Sequence, residues 1–272
     1  MLPGYPDCAR RAAAKSFRFD LEKRGFVLRQ TQPSVGAAAG TAVHTAVEHV
    51  LRSKIDTGEL GSLEPALDAA MAGFDEETGT GCEWDDTTPN RDTAQQQILR
   101  MARAYYHGPA QTGEVIAVEL ELEADAGDGF LLTGHIDRVD RLGSGLEVRD
   151  TKTGALVRPY YHQLGAYGLL VRSSPVILVP GTDRNTVSGL STDFVKRTPK
   201  KRVQDLPKST PYDVGPCERA AWGAITRIKR DLTEFRETGN PDAFQENCMS
   251  MMCTPRYCPA FGTDFCELTK GR

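Results

Sequence analysis

Asp137, Asp150 and Lys152 are the residues whose types and spacing fit a hydrolytic centre. Two nearby carboxylates repel each other unless a cation or a proton lies between them. Short Asp side chains offer hard oxygen ligands, which suit Mg²⁺ or Mn²⁺. Such an ion polarises a phosphoryl oxygen and acidifies water. A lysine two residues beyond the second acid stabilises charge developing on the phosphate. The chemistry implied is attack of water on a phosphodiester.

These residues need a scaffold that makes them neighbours. Residues 131–142 and 146–152 are rich in strand-forming types and flank Gly143-Ser144-Gly145. With Gly143-Ser144 as a two-residue hairpin loop, opposed residue numbers sum to 287 and Asp137 falls opposite Asp150. Directly opposed Cβ atoms lie roughly 4.5–5.5 Å apart. Lys152 shares the face of Asp150, and Val139 opposite Val148 gives that face an apolar floor. A three-residue loop would send the two acids to opposite faces. Arg138 opposite Arg149 speaks against the chosen register. Upstream, His44 and Glu48 are four apart on a helix whose apolar stripe is Val43, Val47, Val50 and Leu51. Downstream, Gln163 and Tyr167 share a helix edge in the same way. Taken singly, each of these features also fits a solvated or structural role.

The ordered set Gly40–His44, Gly134–Asp137, Asp150–Gly154 and Gln163–Tyr167 resembles the RecB-type branch of the PD-(D/E)XK nucleases. The resemblance spans roughly residues 36–200. It implies an α/β restriction-endonuclease-like core, a mixed sheet flanked by helices. It further implies that His44, Asp137, Asp150 and the main-chain carbonyl of Thr151 bind the metal. Lys152 would assist the water, and Gln163 and Tyr167 would contact the substrate. The family usually has a hydrophobic residue or Tyr between acid and lysine, so Thr151 is a small departure. The implied activity is a metal-dependent DNA exonuclease acting on single strands or duplex ends and leaving 5′-phosphates, in recombination, repair or phage DNA processing. Two alternatives carry different partners. One is a non-cutting DNA-end module serving a helicase or recombinase. The other is a nuclease working with CRISPR adaptation proteins.

Seven cysteines, an odd number, argue against a disulfide framework. Cys253, Cys258 and Cys266 occur in a Pro-containing, helix-poor tail, with Cys8 as a distant fourth. One N-terminal and three C-terminal thiols are similar to the AddB and CRISPR-associated exonucleases, in which four cysteines hold a [4Fe–4S] cluster. The looser spacing here leaves Zn²⁺ open as the alternative, and Cys248 as a substitute for Cys253. Cys82 and Cys217 read as buried or incidental thiols.

At 272 residues, with 39% apolar residues, the chain reads as a single nuclease domain. A helical insert over about 56–108 is expected to cap the groove. The net charge of −4 does not advertise nucleic-acid binding. Its distribution is more telling. Residues 8–29 and the block Lys196, Arg197, Lys200, Lys201 and Arg202, with Lys208, are basic and suited to phosphate contact. Residues 55–90 are acidic. With no signal peptide and no apolar spanning run, a cytoplasmic location is expected. Helices are expected over 40–55, 62–77, 91–107 and 216–237, the last with Trp222, Ile225, Ile228, Leu232 and Phe235 on one stripe. Strands are expected at 115–123, with Ile116, Val118, Leu120 and Leu122 inward, and at 176–179 and 192–195.

Overall fold

The computed structural model describes residues 2–271. The chain forms two compact units, Pro33–Glu218 and one assembled from the residues up to Gln32 together with those from Arg219 onward. The first carries a five-stranded sheet in the order β1 (Glu114–Asp125), β2 (Leu131–Leu142), β3 (Gly145–Gly154), β4 (Val187–Lys196), β5 (Lys208–Tyr212). All neighbours are antiparallel except β3 and β4. A parallel pair needs a crossover, and the helix Tyr161–Ser173 lies within it.

Helices in this unit follow from their caps and stripes. Ser34 accepts the Ala37 N–H at 3.2 Å and starts the helix Val35–Thr57, which Gly58 ends in the left-handed region at φ 83°. Leu63–Thr78 and Arg91–His107 follow, the latter capped by Asn90 on the Thr93 N–H at 2.9 Å. Together with Ala9–Ser16, Arg18–Lys23, Tyr161–Ser173 and Val214–Thr238 they are numbered α1 to α7 in chain order. The apolar stripe of α3 (Val35, Ala39, Val43, Val47, Val50) packs with Phe74 of α4, Ile98 and Met101 of α5, and Val115 and Val118 of β1. A second cluster joins Leu164, Leu170 and Val171 of α6 to Ile136, Val139, Val148 and Leu190 of the strands. The sheet is thus covered on both faces, as a mixed sheet with a parallel pair requires. No helix among the described residues is long and apolar enough to cross a membrane.

Two expected elements differ, and one strand was not expected. Residues 176–179 form no strand, because the buried Asn185 captures this segment: it accepts the Leu178 N–H at 2.9 Å and donates to the Val176 carbonyl at 2.8 Å. Strict alternation in β1 also fails. A bulge lies between Val115 and Ala117, and Glu119 is left-handed at φ 47°. Val118 therefore joins the α3 cluster while Leu120 and Leu122 join the α6 cluster. Finally, β5 had no apolar alternation to announce it and carries Pro211, a residue tolerated on an edge strand.

The second unit contains α1, α2, most of α7 and a turn-rich tail. Its centre is aromatic: Phe26, Phe235, Phe244 and Phe265 pack with ring centroids 5.2–6.4 Å apart. Arg10 is 2% exposed and donates to the carbonyls of Phe244 (2.9 Å) and Phe265, beside Glu246 at 3.2 Å. On α7, Ile225, Ile228, Leu232 and Phe235 are buried as expected, whereas Trp222 is 45% exposed.

Candidate active site

The β2–β3 hairpin has the two-residue loop and the register in which opposed numbers sum to 287: Leu142 faces Gly145, Val139 faces Val148, and Arg138 faces Arg149. The ladder then stops. Below Arg138, β2 pairs only with β1, and beyond Arg149, β3 pairs only with β4. This split leaves strand N–H groups facing a gap, where an unpaired donor is costly. The Asp137 carboxylate fills the gap by accepting the Thr151 N–H at 2.7 Å. The acids therefore sit at a fork in the sheet rather than across a closed ladder.

The two facing arginines are not in conflict. Arg138 is fully buried and makes a bidentate pair with Asp140 at 2.6 and 2.7 Å, and it also donates to the Tyr105 hydroxyl at 3.3 Å. Arg149 grips Asp193 of β4 at 2.6 and 3.1 Å, and Ser209 of β5 donates to the same carboxylate at 2.6 Å. Alternating charges thus tie β2 to β5 behind the fork.

Asp150 is fully buried, with its Oδ1 and Oδ2 at 2.8 and 2.7 Å from Lys152 Nζ. Oδ2 thus has the Lys152 ammonium as its close partner. Gln163 Nε2 donates to Asp150 Oδ1 at 3.3 Å and to the Tyr167 hydroxyl at 2.8 Å. The ring of Tyr160 lies 5.1 Å from Lys152 Nζ. Gly134 is what lets α6 come this close: a Cβ there would lie 2.5 Å from Leu170 Cδ1.

From the opposite layer, α3 approaches β3 through Gly40, where a Cβ would meet Thr153 Oγ1 at 2.9 Å. This brings His44 Nδ1 to 3.5 Å from Asp137 Oδ2 and 3.8 Å from Glu119 Oε1. The donor atoms of His44, Glu119 and Asp137 lie within 4.8 Å of one another. Glu119 was not among the sequence candidates. It is one of four acids at alternate positions in β1, with Glu121, Glu123 and Asp125, and nothing in that pattern sets it apart.

An open pocket of about 570 Å³ is lined by His44, Glu119, Asp137, Thr151, Lys152 and Tyr167, with the first turns of α3 as its wall. Neither α4 nor α5 lines it. The segment expected to cap the groove instead packs behind α3 as core. Burial disfavours the His44 cation, but Asp137, Glu119 and Asp150 outweigh this and raise its pKa. Burial likewise raises Asp137, against the pull of His44 and Lys152. Asp150 is pushed up to about 7 by burial and by the neighbouring Asp137, despite Lys152. A donor set of two raised carboxylates and an imidazole fits a divalent cation.

That shift has a measurable sign. A carboxyl with a folded pKa near 7 and an unfolded value of about 3.9 contributes stability at low pH that is lost as pH rises through about 7. Metal competes for the same oxygens. Mn²⁺ added to the metal-free protein is expected to raise the thermal midpoint more at about pH 8 than at about pH 5.5. Equal increments at both pH values would show that the ion does not draw on Asp150.

The basic block divides. Arg197 is 8% exposed and bonded to Asp85 Oδ2 at 2.7 Å and to the Thr88 hydroxyl, so it braces the fold and leaves the set of DNA contacts. Lys196 and Lys200 form exposed pairs with Asp205 and Asp92 at 2.8 and 2.7 Å, which cost little to break. Lys201 and Arg202 are exposed. In the second unit, Cys8, Cys253, Cys258 and Cys266 line one cavity, together with Cys248. The Cys258 thiol is pushed up to about 11, chiefly by burial and further by Cys8, Cys266 and Cys253. Cys248 is exposed, while Cys82 and Cys217 belong to the apolar clusters of the first unit.

Comparison with known proteins follows this geometry. A crystal structure from Eubacterium rectale, named "Putative exonuclease", aligns with a TM-score of 0.48 at 12% identity, covering 83% of this chain and 75% of that one. The structure of SSO0001 aligns with a TM-score of 0.28 at 13% identity, covering 77% and 85%. No curated protein matches the sequence. The family model of the PD-(D/E)XK nuclease superfamily matches residues 5–261. With that match over nearly its whole length, the chain belongs to the PD-(D/E)XK nuclease superfamily.

Proposed function

We propose that this nuclease is a Mg²⁺- or Mn²⁺-dependent DNA exonuclease acting on single strands or duplex ends, in recombination, repair or phage DNA processing. The observation that carries the reading is the fork in the sheet: Asp137, Lys152 and His44 line one open pocket, and the buried Asp150 lies behind it, bonded to Lys152. Since the family match spans both compact units, both are taken as parts of one nuclease domain.

Asp137, Asp150, His44 and the Thr151 carbonyl would hold the ion, which when bound would supply Lewis-acid polarisation of the phosphoryl group and acidify water. The rest is done by the chain. The Thr151 N–H fixes the rotamer of Asp137. Lys152, paired with Asp150 and covered by Tyr160, keeps its ammonium at the pocket, where it orients water and offsets charge on the phosphate. Gln163 locks Asp150 to Tyr167 and aims the Tyr167 edge at the substrate. Lys201 and Arg202, with Lys196 and Lys200 once released from their surface partners, take phosphates further along the strand.

The test is an end-labelled DNA assay with single-stranded and blunt duplex substrates in Mn²⁺. Release of mononucleotides or short oligonucleotides from one labelled end is expected. Binding without cleavage under metal-replete conditions would leave only a DNA-end module. His44→Ala should reduce cleavage by about tenfold or more at limiting Mn²⁺ and much less at saturating Mn²⁺. An unshifted metal titration would return His44 to a packing role.

The four cysteines extend the proposal: Cys8, Cys253, Cys258 and Cys266 hold a [4Fe–4S] cluster, with Zn²⁺ as the alternative occupant. Support comes from their facing one cavity and from the rise of Cys258, since bringing thiolates together without a cation is unfavourable.

A further inference from the structure

We propose that Glu119 is a direct donor to the divalent ion, closing with His44 and Asp137 a cradle on the β1 side of the fork, and that His135 is the positioning residue that holds it. The inference rests on the metal-nuclease reading above and adds a ligand that lies outside all four sequence motifs.

Three observations carry it. The donor atoms of His44, Glu119 and Asp137 all lie within 4.8 Å of one another. Asp150 meanwhile shares both oxygens with Lys152 and one with Gln163, so a further carboxylate oxygen would add to the hard donors an ion takes from Asp137, Asp150 and the Thr151 carbonyl. The backbone of β1 is also strained at this residue. Val118 pairs with Arg138 and Leu120 with Ile136, but the intervening Glu119 and Asp137 are not paired, and Glu119 adopts φ 47°. Such a conformation is unfavourable for a residue with a Cβ and persists where the surroundings enforce it, commonly at functional sites. The flanking pairs place Glu119 on the same face of the sheet as Asp137, which brings its side chain to the fork. Third, His135 grips the residue twice. Its Nδ1 lies 3.1 Å from Glu119 Oε2, and its Nε2 lies 3.1 Å from the Glu119 carbonyl oxygen. This leaves Oε1, the oxygen nearer His44, free to face the ion. Outer partners that orient a ligand in this way commonly change metal affinity when removed.

The competing explanation is that Glu119 only balances the two histidines. Mn²⁺ binding, read by electron paramagnetic resonance in the absence of DNA, separates the two. Asp137→Asn should abolish binding. Glu119→Gln should weaken it by about a hundredfold, and Glu119→Asp by less, because a carboxylate remains. His135→Asn should weaken it by about tenfold. In the double variant His135→Asn, Glu119→Gln, the loss should equal that of Glu119→Gln alone, since His135 acts through Glu119. Should Glu119→Gln fail to fold, Glu119→Asp at an unchanged thermal midpoint carries the test. Wild-type Mn²⁺ affinity in a folded Glu119 variant, with binding lost in Asp137→Asn, overturns the inference and spares the nuclease reading. Absence of Mn²⁺ binding in the wild-type protein overturns both. Additive losses in the double variant would overturn the role given to His135.

Discussion

Replacing Asp150 by asparagine is expected to lower cleavage by at least two to three orders of magnitude while leaving the fold and DNA binding intact. Two losses coincide. The neutral amide is a poor donor for a hard cation, and the Lys152 ammonium, 2.7 Å away, loses the carboxylate that holds it at the pocket. Stability should move the other way. Burial and Asp137 make the ionised Asp150 unfavourable in the metal-free protein above about pH 7, and asparagine removes that cost. The variant should therefore melt no lower than wild type without metal, and it should lose most of the stabilisation by Mn²⁺. Contacts through Gln163, Tyr167 and the exposed cations do not depend on this charge, so gel-shift affinity for a labelled strand should persist. Cleavage at the wild-type rate in saturating Mn²⁺ would remove Asp150 from the catalytic centre.

The second large effect is expected at Cys8. If four thiolates hold a cluster, Cys8→Ser breaks a cross-link between positions 8 and 253–266. By analogy with a lost long-range cross-link, about 4 kcal/mol, and at about 2–4 °C per kcal/mol for a chain of this size, the midpoint should fall by about 10 °C. Protein prepared without oxygen should be brown, with absorption near roughly 400 nm from thiolate-bound iron, and the variant should be bleached. The active-site residues all lie in Pro33–Glu218, so Mn²⁺ binding by the folded fraction should survive. One equivalent of zinc in colourless protein would keep the four ligands and replace the metal. Protein lacking iron, sulfide and zinc would dismiss the site.

The hairpin was legible because Gly143-Ser144 fixes the register and the register fixes which side chains meet. Local rules sufficed there, as they did for the helices carrying His44 and Gln163. They did not suffice for Glu119, whose approach to the fork depends on the register of β1 against β2, which no turn between them announces. Arg197 looked like part of a basic surface because its partner, Asp85, lies 112 positions away and comes close only through packing. Residues 176–179 had strand composition but no strand to pair with, and Asn185 took their backbone groups. The fork itself was invisible for a related reason: where a ladder ends depends on both strands' other neighbours.

The interleaving of the two units sets an order of synthesis. Residues up to Gln32 emerge before the sheet, yet the partners that bury Phe26 and Arg10, including Phe235, Phe244 and Phe265, are translated after it. At about 5–20 residues per second, the interval from Gln32 to Cys266 is roughly 10–50 s. The sheet and its catalytic fork, made wholly from Pro33–Glu218, can form on the ribosome during that time. The leading segment meanwhile waits with Cys8 and its aromatic residues uncovered. If the four cysteines hold a metal, its loading must wait until residue 266 is made, and a ribosome that stalls before residue 253 would present a formed sheet with Cys8 still uncovered.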